Sequence, residues 1–131
     1  MTAPRVELLR DLERETGWVL LVDGVEQSYV DVADPMHLEF EYMQHIGLVL
    51  DAARPRPDPV VAVHLGGGAF TLPRWLSATR PGSRHVVVET SAEVLDVIAP
   101  LRVGADCEII VDDAMSAVAA LPPAAADLVI W

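Results

Sequence analysis

The most constraining stretch of the chain is a strand that runs straight into three glycines and then into a helix. Val60–Leu65 is a continuous apolar run, Gly66-Gly67-Gly68 follows at once, and Thr71 to Ala78 reads as a short helix with Pro73 in its first turn. A run of that kind suits a strand buried on both faces, as in parallel sheets covered by helices. The alternation then repeats. His85–Glu89 reads as a second strand, Ala92–Ala99 as a second helix and Cys107–Val111 as a third strand. Ala114–Leu121 reads as a third helix, and Leu128–Trp131 as the start of a fourth strand. A β-α-β-α-β-α-β series implies a parallel sheet with right-handed crossovers. Hydrophobic residues make up 52% of the chain but aromatic residues only 5%, so Val, Leu, Ile and Ala must build the core.

The front of the chain has another texture. Val6–Leu9, Trp18–Val22 and Val25–Val30 are rich in β-formers, and Asp23-Gly24 between the last two is a strong hairpin signal. Asp34-Pro35 stops the strand. From Met36 to Ala53, residues Leu38, Tyr42, His45, Ile46 and Val49 recur at spacings of three and four, which predicts an amphipathic helix. Asp34 is expected to cap it, with Pro35 in the first turn. Arg54-Pro55-Arg56-Pro57-Asp58-Pro59 is a stiff linker, because alternating prolines exclude helix and ladder. The expected organisation is therefore α/β. A small N-terminal antiparallel β meander (1–34) and a helix with a Pro-rich linker (35–59) precede the first half of a Rossmann-like parallel sheet (60–131), truncated at strand four.

Charge and composition exclude several classes of function. The net charge of −11, from 9 basic and 20 acidic residues, repels phosphate backbones and argues against a nucleic-acid partner. It would suit a cationic amine, but solubility is the simpler account of an acidic surface and the one favoured here. Cys107 is the one cysteine, expected to be a buried structural thiol. The N-terminus is charged and lacks a signal-type apolar segment, and no run approaches the ~20 apolar residues that span a bilayer. No membrane partner is expected, and the cytoplasm is the expected location.

Three places can hold chemistry. In the glycine turn, missing Cβ atoms let a ligand reach the backbone, and the following helix offers free N–H groups; a tight structural turn would use the same residues. Glu89 closes the second strand, 21 residues after Gly68. An acid there accepts ribose hydroxyls in nucleotide sites, or else it is a solvated strand end. Asp112-Asp113-Ala114 closes the third strand, where a carboxylate can face a ligand crevice, cap the next helix, or both. The sequence Gly66-Gly67-Gly68-Ala69-Phe70-Thr71 lacks a Gly-x-Gly-x-x-Gly spacing, which argues against a dinucleotide and for a smaller ligand without a pyrophosphate. His37, His45, His64 and His85 fall on separate elements, so no metal site is expected and ordinary packing or surface roles are. Trp18, Trp75 and Trp131 read as core or interface, and no Ser elbow or Cys–His constellation stands out.

The ordered set of motifs resembles the spermidine synthases and their spermidine-synthase-like relatives. It consists of Asp23-Gly24-Val25-Glu26-Gln27-Ser28-Tyr29 before a helix, then the glycine triplet, Val86-Val87-Val88-Glu89, and Asp112-Asp113-Ala114, and it covers residues 6–131. The resemblance implies a methyltransferase-type Rossmann fold. It implies binding of decarboxylated S-adenosylmethionine, methylthioadenosine or S-adenosylmethionine, aminopropyl transfer to an amine, no metal, and a homo-oligomer. On that resemblance Gln27 matches the glutamine at the sulfur side of the nucleoside, and Gly66, Gly67 and Gly68 match the glycine turn. Glu89 matches the ribose acid, and Asp113 and Ala114 match the pair beside adenine.

The chain also departs from the family pattern. Ala69 stands where the family has an aspartate that holds the aminopropyl ammonium, and Tyr42-Met43-Gln44 stands in place of Tyr-His-Glu. The family's catalytic aspartate follows strand four, beyond Trp131, so the catalytic residues are unknown. Three readings compete: a spermidine-synthase-like nucleoside binder without full aminopropyltransferase activity, an S-adenosylmethionine-dependent methyltransferase, and a non-catalytic relative that assembles with a partner. Gln27 in the hairpin favours the first. Because the fourth strand is apolar throughout, it is expected to be buried on both faces or covered by another chain.

Overall fold

A computed structural model describes residues 3–122 and 124–131. Three strands form the front sheet in antiparallel order: β1 (Val6–Arg10), β2 (Gly17–Val22) and β3 (Val25–Asp31). Asp23 and Gly24 both take positive φ in the β2–β3 turn, as the hairpin signal requires. After α1 (Glu41–Ala53) come β4 (Val61–Leu65), α2 (Thr71–Thr79), β5 (Arg84–Glu89), α3 (Ala92–Ile98), β6 (Glu108–Val111), α4 (Ala114–Ala120) and β7 (Leu128–Ile130). The four rear strands run parallel in the order β6-β5-β4-β7. Strand order therefore reverses between β4 and its neighbours, and the crevice at such a switch point is where ligands bind in doubly wound sheets. No helix is long and apolar enough to cross a membrane.

Three apolar clusters hold these layers. Leu20 and Val30 of the front sheet pack with Ala69, Phe70, Val87, Val94 and Ile98 of the rear unit, so one core spans both sheets. Val60, Ala62, Leu72, Trp75, Leu76 and Leu50 fill the space beneath α1 and α2. Val63, Leu65, Val88 and Ala117 pack on the opposite face, under α4.

The structure corrects several boundaries. The helix expected over Met36–Ala53 begins at Glu41, with Phe40 at its N-cap and no side-chain cap. Asp34 instead closes a turn: its carboxylate accepts from the Met36 N–H at 3.0 Å, and its carbonyl from the His37 N–H at 3.2 Å. The rings of His37 and Phe40 then pack on Tyr29, which pins residues 37–40 to the front sheet before the helix starts. Cys107 precedes β6 rather than opening it, and is half-buried, with its thiol pushed up to about 11 by burial and the nearby Asp106 charge. The last strand is not buried on both faces. β7 lies at the sheet edge beside β4, with Val129 58% and Trp131 82% exposed, because no described element packs outside it. Of the three tryptophans, Trp75 is in the core.

A buried arginine ties α1 to the end of α2. Arg80 is fully buried and donates to the Arg54 carbonyl at 2.7 Å, to Asp51 Oδ1 at 2.8 Å and to Thr79 Oγ1 at 2.7 Å. The Arg56 guanidinium, and with it Arg80, holds the Asp51 carboxyl below the usual carboxylate range. Removing Arg80 leaves the Arg54 carbonyl and part of Asp51 without their donor. Arg80→Met should therefore destabilise the fold by about 2–4 kcal/mol, read by chemical denaturation.

Candidate functional site

The turn after β4 is built from backbone geometry that few side chains permit. Gly66 and Gly68 have φ of +93° and +53°, and Phe70 follows at +63°. A Cβ on Gly67 would come within 2.6 Å of Val87 Cγ1 and 2.8 Å of Phe70 Cε1, so that position has no room for a side chain. Over Gly66 there is open space for at least 4 Å. That opening belongs to a cavity of about 500 Å³, whose wall includes Gly66, Gly67, Gly68, Glu89, Gln27, Ser28 and Ser91.

The front sheet sets the turn in place. Ser28 Oγ accepts from the Ala69 N–H at 3.1 Å, and the Thr71 hydroxyl donates to the Tyr29 carbonyl at 2.6 Å. Arg74 donates to the carbonyls of Asp31 and Val32 at 3.0 and 3.3 Å. Asp31 anchors the end of β3. Burial alone would raise its pKa, but the Thr16 hydroxyl, the Ala33 N–H and the Arg14 guanidinium outweigh burial and hold it at about 2.

Glu89 sits at the C-terminal end of β5 with its carboxylate already oriented. Oε1 accepts from the Gly67 N–H at 3.2 Å and Oε2 from the Ser91 N–H at 3.0 Å. Ser91 in turn caps α3, accepting from the Val94 N–H.

Of the residues singled out in the sequence, Gln27, Gly66, Gly67, Gly68 and Glu89 therefore line one cavity. Asp113 and Ala114 are not in its wall. Asp113 caps α4, accepting from the Ser116 N–H at 2.9 Å and the Ser116 hydroxyl at 2.7 Å, and these bonds hold its pKa below the usual value. Ala114 packs beside the cluster under α4.

The histidines did not read as a group, yet two of them meet. His64 Nε2 lies 3.0 Å from His85 Nδ1, and His85 Nε2 lies 3.0 Å from Ser77 Oγ. Register brings them together: Ala62 pairs with His85 across β4 and β5, which sets His64 and His85 as near neighbours. The spacing of 21 residues hides this contact in the sequence. His64 lines the cavity, alongside Met43, Ile46, Leu72 and Ile130.

These features define a class: a Rossmann-like α/β unit behind an antiparallel front sheet, with a glycine turn and a strand-end carboxylate facing one cavity. Comparison with known proteins narrows it. The probable spermidine synthase from Corynebacterium glutamicum ATCC 13032 superposes with a TM-score of 0.83 at 31% identity, over 96% of this chain and 47% of that one. The spermidine synthase of Thermotoga maritima gives 0.58 at 17% identity, over 88% of this chain and 38% of its own. A spermidine synthase in complex with the transition state analogue AdoDATO gives 0.56 at 17%, over 88% and 39%. No protein-family model and no curated protein matches the sequence. The chain thus has a spermidine-synthase-like fold and spans about half the length of the first of these structures, and less of the other two.

The buried histidine pair makes stability depend on pH. Burial, and next the neighbouring His85, lowers His64 from 6.5 to about 3, and burial also lowers His85. Between 6.5 and about 3 the unfolded chain binds a proton at His64 that the folded chain refuses. Stability is therefore complete above the unfolded value and falls as pH drops below it. Thermal midpoints should decline from about pH 6.5 downward, and much of that slope should vanish in a His64→Leu/His85→Phe variant.

Proposed function

We propose that this chain binds an adenosyl nucleoside, such as methylthioadenosine or a form of S-adenosylmethionine, in the cavity beside the glycine turn. Glu89 carries the reading. A carboxylate offers about four lone-pair positions, and the Gly67 and Ser91 N–H groups occupy one on each oxygen of Glu89. The other two are free for the paired hydroxyls of a ribose. The AdoDATO complex of a spermidine synthase, which shares the fold, supports an adenosyl ligand.

The amides of the turn favour a nucleoside over a dinucleotide. Gly66 N–H is bonded to the Val88 carbonyl, Gly67 N–H to Glu89, Ala69 N–H to Ser28 and Phe70 N–H to the Gly67 carbonyl. Of the turn amides from Gly66 to Phe70, only that of Gly68 has no partner among the described residues, whereas a pyrophosphate cradle draws on several free amides of such a turn. The turn offers shape, an open face over Gly66, rather than a ring of donors. In this reading Gln27 faces the sulfur side of the ligand from the front sheet, while Asp113 holds α4 near the adenine rather than contacting it. Oligomer formation through the exposed edge of β7 belongs to the same proposal.

The reading does not extend to aminopropyl transfer by these residues. Ala69 takes the position where the family resemblance places an ammonium-holding aspartate, and it is fully buried beneath Ser28. Purified 1–131 chain should show no detectable transfer from decarboxylated S-adenosylmethionine to putrescine in a product assay. Calorimetry with methylthioadenosine should show binding by the wild type and a loss of roughly 1.5–3 kcal/mol in Glu89→Ala, the cost of a charge-assisted hydrogen bond. Equal affinity in the two proteins would remove Glu89 from the site.

A further inference from the structure

One row of polar groups enters the cavity from the sheet and has no part in holding the ribose. Ser77 on α2, His85 on β5 and His64 on β4 are joined by two hydrogen bonds of 3.0 Å. His64 and His85 are buried, 2% and 4% exposed. Among the described residues the one fully buried side-chain polar atom without a partner is Arg74 Nε. His64 Nδ1 has no hydrogen-bond partner among them either, and His64 lines the cavity.

A neutral imidazole has one N–H donor and one bare nitrogen acceptor. Two proton patterns satisfy the row. In one, Ser77 donates to His85, His85 donates to His64, and His64 Nδ1–H points into the cavity as a donor. In the other every bond is reversed, and Nδ1 is an acceptor. The row can therefore meet either a donor or an acceptor without gaining charge. Its surroundings favour that neutrality. Leu72, Ile46 and Ile130 share the cavity wall with His64, Ile130 as its strand partner, and Glu89 is the one charged residue among the described cavity-lining residues. A charged ligand group lodged in this part of the cavity would lose its water without a counter-charge beside it, whereas an uncharged polar group would lose far less.

We propose that Ser77, His85 and His64 form an uncharged hydrogen-bond relay, and that His64 Nδ1 contacts an uncharged polar group that the ligand carries beyond its ribose. This deepens the nucleoside reading and rests on it. His64 acts here as a specificity contact and not as a general base, since burial leaves the imidazole with little affinity for a proton.

The test compares two ligands that share the adenosine and differ beyond it: methylthioadenosine and 5′-hydroxyethylthioadenosine, which ends in a hydroxyl. Calorimetry gives the ratio of their affinities for the wild type, His64→Leu, His64→Asn and His64→Gln. Asn places its amide near the Nδ1 position, and Gln near the Nε2 position that faces His85. Preference for the hydroxyl ligand should fall roughly two- to tenfold in His64→Leu and His64→Gln, the worth of one hydrogen bond, and should be largely kept in His64→Asn. Methylthioadenosine affinity should change little in all three. In the wild type the ring-nitrogen NMR signal of His64 Nδ1 should move with the hydroxyl ligand and not with methylthioadenosine. An unchanged ratio in every variant, or equal weakening of both ligands, overturns the relay while leaving the nucleoside site standing. Failure of the wild type to bind either ligand overturns both.

Discussion

The bond between Ser28 Oγ and the Ala69 N–H, with the Thr71 hydroxyl on the Tyr29 carbonyl beside it, decides where everything else in the site can be. A turn that passes through two left-handed glycines to a left-handed phenylalanine has no regular ladder to hold it. Left-handed backbone at a bulky residue costs of order 1–3 kcal/mol and persists only when its surroundings impose it. Here the front sheet imposes it. Phe70 is fully buried between the Leu20–Val30 face and Val87, and the turn is stitched to β3 on its outer side. The opening over Gly66 and the orientation of Glu89 both follow, because Glu89 takes one of its two backbone bonds from Gly67.

Ala69 belongs to this arrangement. Its side chain lies in the core that the two sheets share. A carboxylate at that position would have to displace the Ser28 contact or enter apolar surroundings unpaired, at a cost of several kcal/mol. The front sheet of this chain thus presses on the turn where the family resemblance leads one to expect a charged group facing the ligand.

Much of this was legible in the sequence, for physical reasons. Val60–Leu65, His64 apart, and Val86–Val88 are apolar without alternation, a pattern that suits a strand covered on both faces, and Asp23-Gly24 dictates its turn. The glycine triplet and Glu89, which line one cavity, could be singled out because each ends a strand and their order along the chain is plain in the sequence. What depends on register was hidden. The meeting of His64 with His85 follows from β4 and β5 pairing side by side, and the closure of Arg80 on Arg54 and Asp51 joins positions 26 and 29 residues apart. Asp113 had two compatible roles on paper, and in the structure its oxygens go to Ser116. The late start of α1 goes with contacts that periodicity cannot see: the rings of His37 and Phe40 pack on Tyr29 of the front sheet.

Strand pairing in the two sheets closes very different lengths of chain. Val22 meets Val25 across a two-residue turn, whereas His64 meets Ile130 across 66 positions. Hairpins of the first kind form in roughly 1–10 μs, while long-range parallel pairing must first overcome the entropy of closing its loop. The apolar face of the front sheet at Leu20 and Val30 has no cover of its own, since that cover is Phe70 and Val87. How long this face stays open to other chains during synthesis is therefore governed by the slower sheet, because its cover arrives only when β4, β5 and the turn that carries Phe70 have formed.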